Sequence, residues 1–150
     1  MDKDKSDNID FILANICHLH HTRVFQLLEN LGLYRGQPPL LRALWIQEGQ
    51  TQTELAEKMK ITAATVTKML QRMEKAGFIS RKPDLEDQRV TRVFLTDAGR
   101  AIQSDVEKVF KKLEEETFAN LTVEEKVLLR RLLLQVRENL LGATGEKPWE

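Results

Sequence analysis

The chain has 150 residues, 41% of them hydrophobic and 31% charged, with 7 glycines and 4 prolines, which suits one helix-rich domain or one domain with helical extensions. Lys plus Arg and Asp plus Glu each number 23, so the formal net charge is zero; this excludes a uniformly basic nucleic-acid coat and leaves room for a local patch. No run of about 18 apolar residues occurs, the opening MDKDKSDNID lacks the apolar core of a signal peptide, and one cysteine excludes an internal disulfide framework, so a cytoplasmic protein is expected.

Ile9 to Leu31 places apolar residues three to four apart (Ile9, Ile12, Leu13, Ile16, Leu19, Val24, Leu27, Leu28, Leu31), the period of a long helix, and Gly32 stands where a left-handed cap is expected. "RGQPP" breaks the chain. A second helix is expected from about Pro38 to Glu48 over Leu40, Leu41, Leu44 and Trp45, stopping at Gly49. Thr51 and Glu54 have capping-box spacing for a short helix from about Gln52 to Lys58, and Thr62 is the N-cap candidate of a helix that ends before Gly77. Two helices joined by so short a turn form a helix-turn-helix. Its inside positions take Leu55, Ala56, Ile61, Val66 and Met69, with Ala56 small where the second helix crosses. Lys60 occupies the turn position that usually prefers glycine.

At about 100° per residue, Val66, Met69, Leu70 and Met73 share the buried side of the second helix. Opposite lie Ala64, Thr67, Lys68 and Gln71, with Thr65 and Arg72 toward one edge. A face that is short at its start and polar further on suits a major groove, where Thr and Gln bond base edges, Ala64 meets a thymine methyl, and Lys68 or Arg72 meets phosphate or guanine.

After Gly77 the period becomes that of strands in "FISRKP" and "RVTRVFLT", separated by the turn "PDLEDQ", and a hairpin directly after a helix-turn-helix is a wing. Arg89, with Arg81, Lys82 and Arg92, charges it, and Asp87 beside Arg89 is read as a carboxylate orienting an arginine fork. A wing-tip arginine can enter the minor groove of A·T-rich DNA. Thr96 caps a long helix, about Asp97 to Phe118. Thr122 and Glu125 open a last helix to about Leu141, ahead of a frayed tail, GATGEKPWE. From Lys58 to Arg100 ten cations face five anions, so a neutral chain carries an excess of five positive charges in its middle.

The expected fold is mainly α, a winged helix-turn-helix with a small β-hairpin wing plus long N- and C-terminal dimerisation helices. Residues 1–35 form the N-terminal dimerisation helix, 36–100 the DNA-binding domain and 101–150 the C-terminal dimerisation helices. The first and last helices carry more apolar residues than a small winged helix can bury, which argues for a homodimer. Shortening Leu27 or Leu133, both read as buried, is expected to affect dimerisation or stability.

Thr53 to Arg100 resembles the winged-helix core of the multiple antibiotic resistance regulator (MarR) family in its "ELA" helix, its "TVTKML..ME..G.I.R" helix and strand, Asp87-x-Arg89, and "LT..G" at Leu95, Thr96 and Gly99. The likeness extends more loosely over most of the chain. It implies a homodimeric transcription factor, a repressor of pseudo-palindromic double-stranded DNA that answers to a small aromatic or phenolic effector, with half-sites roughly one duplex turn (~34 Å) apart. Matching positions on the recognition helix are Thr65, Thr67, Lys68 and Arg72, with Arg89 at the wing. The full set expected at DNA is Thr62, Ala64, Thr65, Thr67, Lys68, Gln71, Arg72, Asp87, Arg89 and Arg92.

"ICHLHHTRV" holds Cys17, His18, His20 and His21. Family members that sense zinc or organic hydroperoxides make a metal site or a redox role for Cys17 worth weighing. Zinc needs three or four ligands and no other histidine exists; Cys17 and His20 fall on the stripe of Leu13, Val24, Leu27 and Leu31, so packing is preferred to metal or redox chemistry. No cofactor is expected. Without a phosphate loop or nucleophile motif an enzyme is disfavoured; the rival is a protein-binding winged helix, which has no need of Lys68, Arg72 and Arg89 together.

Overall fold

The computed structural model describes residues 8–34 and 37–148. Arg35 and Gly36 of the "RGQPP" break, the first seven residues and the end of the tail lie outside them. The chain divides into two compact units, one up to Leu113 and one from Glu114 onward.

The first unit opens with α1 (Ile9–Glu29), started by the Asn8 side chain, which accepts the Asp10 N–H at 2.9 Å. The helix stops two residues short of the expected end because its last turn tightens: Leu31 and Leu33 N–H both reach the Leu28 carbonyl, and Gly32 at φ +73° makes the left-handed step. Next comes α2 (Gln37–Ile46), then β1 (Gln50–Thr51) and α3 (Gln52–Met59), whose capping box between Thr51 and Glu54 is formed as expected. Recognition helix α4 (Ala63–Lys75) starts at Thr62, whose hydroxyl accepts the Thr65 N–H. Between them Lys60 sits at φ 53°, ψ 42°, left-handed, so a side chain occupies the glycine-type turn position.

Strands β2 (Ile79–Pro83) and β3 (Thr91–Leu95) form the hairpin with Ile79 opposite Leu95 and Pro83 opposite Thr91. Arg89 and Val90, expected in the second strand, belong to the turn: Asp84 N–H reaches the Val90 carbonyl and Val90 N–H the Asp87 carbonyl. The sheet also has a third, antiparallel strand that the sequence pattern does not announce. β1 pairs Gln50 with Val93 and Thr51 with Arg92, giving the order β1-β3-β2. Two residues are too few to show an alternation.

The core joins Leu28, Leu33, Leu40, Leu41 and Leu44 to Leu55, Ala56, Val66, Leu70 and Met73 of the helix-turn-helix, and to Ile79, Val93 and Leu95 of the sheet. Burying each such leucine stabilises by about 1.5–3 kcal/mol. Of the five inside positions Leu55, Ala56 and Val66 are buried; Ile61 and Met69 are partly buried against the same core. Helix α5 (Asp97–Thr117) spans the division between the units. In the second unit α6 (Val123–Thr144) opens on the capping box of Thr122 and Glu125 and ends at left-handed Gly145. It has no buried residue: Leu133, expected inside, is 43% exposed, whereas Leu27 of α1 is buried.

Among the described glycines the tightest approach to a neighbouring backbone is at Gly99. A Cβ there would sit 2.0 Å from the Phe78 carbonyl oxygen, an atom of backbone that cannot swing aside. Trp45 Nε1 donates to the Gly99 carbonyl at 2.9 Å from the other side. Gly99→Ala is therefore expected to destabilise the protein by about 1–3 kcal/mol or more, read as a lower denaturation midpoint; an unchanged midpoint would show that the α5 start yields without cost.

Candidate nucleic-acid interface

The recognition helix turns Val66, Leu70 and Met73 into the core, which leaves Ala64, Thr65, Lys68, Gln71 and Arg72 exposed on its other side. Lys68 and Arg72 have no ion pair among the described residues, so both charges face solvent. Thr62 and Thr67, also expected at DNA, have local partners. The Thr62 hydroxyl caps the helix and lies 2.9 Å from that of Thr65. Thr67 Oγ1 donates to the Ala63 carbonyl at 2.9 Å and accepts from Gln52 Nε2 at 3.3 Å, joining the two helices of the motif.

Four wing cations meet four different fates. Arg89 is oriented by Asp87, as the sequence suggested: its N–H and Nε each donate to Asp87 Oδ1 at 3.1 Å and its Nη2 to Oδ2 at 3.4 Å, while the arginine side chain stays 91% exposed. Arg81 forms a two-pronged pair with Glu74 of the recognition helix at 3.1 and 3.2 Å, and its backbone N–H donates to the same carboxylate. Lys82 lies 5.5 Å over the Phe94 ring. Arg92, expected to face DNA, has its guanidinium engaged within the protein: it pairs with Asp84 and donates to the Gly49 carbonyl at 2.8 Å. Between recognition helix and wing these side chains leave an open cleft of about 310 Å³ lined by Glu74, Arg81, Lys82, Pro83, Gln88 and Thr91.

Three carboxylates that the sequence did not single out hold this frame. Glu48, at the end of the segment after α2, accepts the Leu95 N–H at 2.8 Å and Arg100 Nη2 at 2.9 and 3.1 Å. Burial works to raise its pKa, but the Leu95 N–H and the Arg100 hydrogen bond and charge together outweigh it, and the carboxyl stays below its usual range. The Arg81 hydrogen bond lowers Glu74 in the same way. Asp84 is lowered chiefly by the Arg92 hydrogen bond and next by the Asp87 amide. The Glu48–Arg100 pair spans 52 residues, whereas Glu74–Arg81 and Asp84–Arg92 join residues seven and eight apart across a helix-to-strand step and the wing turn, so no helical or strand period within one element pairs them.

Cys17, His18, His20 and His21 are all exposed, so the packing expected for them does not occur among the described residues. The stripe on which Cys17 and His20 fall meets the core further along, at Val24 and Leu27; His21 rests edge-on against Phe25, ring centres 4.5 Å apart. Among the described residues no group of three His, Cys, Asp or Glu side chains is placed to hold a metal ion. No described helix is long and apolar enough to cross a membrane.

Residues 33–91 match the MarR family. An uncharacterised HTH-type transcriptional regulator of Bacillus subtilis (strain 168), YdgJ, is 34% identical over 109 residues, covering 73% of this chain and 66% of that relative, just under two thirds of its length. The crystal structure of MarR superposes with a TM-score of 0.73 at 28% identity, covering 98% of this chain and 99% of the other. A mutant of S. aureus MepR bound to an oligodeoxyribonucleotide superposes at 0.67 with 25% identity, covering 89% and 98%.

A carboxyl that holds its proton less tightly when folded stabilises the fold fully above its unfolded pKa, and that contribution is lost as pH falls through the lower, folded value. The wild type is thus expected to lose stability below about pH 4, and Glu48→Gln, which has no charge to lose, to show a shallower decline in denaturation midpoint. Parallel declines would mean that the Glu48–Arg100 pair is not formed in solution.

Proposed function

The chain belongs to the MarR family of winged helix-turn-helix transcription regulators, and on that premise we propose that it is a cytoplasmic homodimer that represses its targets by binding a pseudo-palindromic operator. The observation that carries the DNA reading is the set of outward cations, Lys68 and Arg72 on the recognition helix and Arg89 on a wing turn that holds it outward. In this reading α4 enters the major groove with Ala64, Thr65, Lys68, Gln71 and Arg72, while Arg89, braced by Asp87, reaches the adjacent minor groove. Thr62 and Thr67 hold the helix in place, and the MepR mutant bound to an oligodeoxyribonucleotide gives the fold a precedent.

Two apolar helix faces support self-association. Ile9, Ile12, Ile16 and Leu19 are exposed on α1, and Val127, Leu128, Leu132, Val136 and Leu140 on α6. Faces of that extent on a lone chain mark interaction sites. Release of the operator by a small aromatic or phenolic effector completes the proposal and rests on the family resemblance.

Arg89→Ala is expected to weaken DNA binding and to reduce the slope of log affinity against log salt by about 1. Fluorescence anisotropy over a salt series on a duplex selected from a randomised pool measures both, and unchanged binding would remove the wing tip from the interface. Leu132→Asp is expected to shift the protein toward monomer in analytical ultracentrifugation, because an unpaired charge is costly to bury at an interface. An unaltered dimer would place the contact elsewhere.

A further inference from the structure

Arg92 is a wing arginine tied to the protein on two sides, although its side chain stays 39% exposed. Its guanidinium bridges two segments, pairing with Asp84 at the start of the wing turn and donating to the Gly49 carbonyl just before β1 at 2.8 Å. The other Asp84 oxygen, Oδ2, accepts the N–H groups of Glu86 and Asp87, each at 3.1 Å. Asp87 in turn holds Arg89 through the arginine's own N–H, Nε and Nη2. An unbroken series of hydrogen bonds therefore runs from the third strand through Arg92, Asp84 and Asp87 to the exposed Arg89 fork.

We propose that Asp84 and Arg92 are positioning residues for DNA binding: they fix the wing turn so that Arg89 meets DNA already ordered, and Arg92 makes no contact with DNA itself. This rests on the DNA-binding reading above. Ordering a long side chain and a turn before the encounter removes that cost from the binding step. Removing either member of the bridge frees the turn and spreads Arg89 over many rotamers.

The consequence has a sign that simple electrostatics does not share. Asp84 is a negative charge within a basic segment, so on charge alone its removal strengthens attraction to phosphate. If it positions Arg89, its removal weakens binding.

The test compares Asp84→Asn, Arg92→Ala, Arg89→Ala and the Arg89→Ala/Arg92→Ala double variant by anisotropy on the selected duplex, with thermal melts alongside. Asp84→Asn and Arg92→Ala are each expected to weaken binding about threefold or more, and Arg92→Ala to add nothing once Arg89 is gone. A global structural role would weaken binding in both backgrounds and lower the melting temperature sharply. Tighter binding by Asp84→Asn, or a further loss in the double variant with an extra drop of about 1 in salt slope, would overturn the proposal and make Arg92 a phosphate contact. A wild type that selects no duplex would overturn the DNA-binding reading itself, a result distinct from either.

Discussion

The wing can be aimed only because both ends of its hairpin are fixed at one place, the start of α5. Gly99 lets that helix lie directly on the Phe78 carbonyl, at the point where the recognition helix gives way to β2. Thr96 works on both sides of the contact: its hydroxyl donates to the Gly77 carbonyl and accepts the Gly99 N–H. From α2 and the segment behind it, Trp45 takes up the Gly99 carbonyl and Glu48 the Leu95 N–H. Backbone groups that the end of a strand and the start of a helix would leave unpaired are thus satisfied by side chains from elsewhere in the unit. A hairpin anchored at one end could swing about it; anchored at both, it keeps one angle to the recognition helix.

The ion pairs of the wing contribute more to orientation than to stability. The Arg89–Asp87 pair is largely exposed, and exposed pairs are worth about 0–1 kcal/mol. What such a pair supplies is a direction for a side chain that otherwise samples many. The charge excess between Lys58 and Arg100 is sorted by the same means. Glu74 and Asp84 draw Arg81 and Arg92 against the protein, whereas Lys68 and Arg72 keep their charge at the surface. Within that basic segment, cations at the surface thereby remain on the recognition helix, at Lys68 and Arg72, and at the wing tip, where Arg89 is braced by Asp87.

What the sequence makes legible follows the range of the interaction involved. Capping boxes at Thr51 and Thr122, the N-cap at Thr62 and the left-handed step at Gly32 are decided within four residues, and the structure has each of them where the spacing puts it. The amphipathic division of α4 is equally local, because one turn of helix determines it. Interactions joining distant segments leave no such trace. The two-residue strand β1 exists only because Val93 supplies its partner, and Arg92 reads as one more wing cation until Asp84 and Gly49 are found beside it. Thr67 illustrates the same limit within the motif: its position on the helix faces outward, yet Gln52 of the neighbouring helix claims its hydroxyl.

Period identifies a face and says nothing of what covers it. Along α1 the same stripe passes from Leu13 through Cys17 and His20 to Val24 and Leu27; burial begins at its C-terminal end, where Leu27 and Leu28 reach the core, while Cys17 and His20 remain in solvent. On α6 the difference is complete, since a helix with apolar residues repeated along its whole length buries no residue at all. Such a repeat is costly to leave in water, and scattered leucines would need no explanation where a continuous row does. Helix propensity and capping alone rarely hold so exposed a helix, whose stability ordinarily comes from tertiary packing of its apolar face. The capping box and left-handed Gly145 define where α6 begins and ends, and its uncovered apolar row is the feature on which the proposed self-association rests.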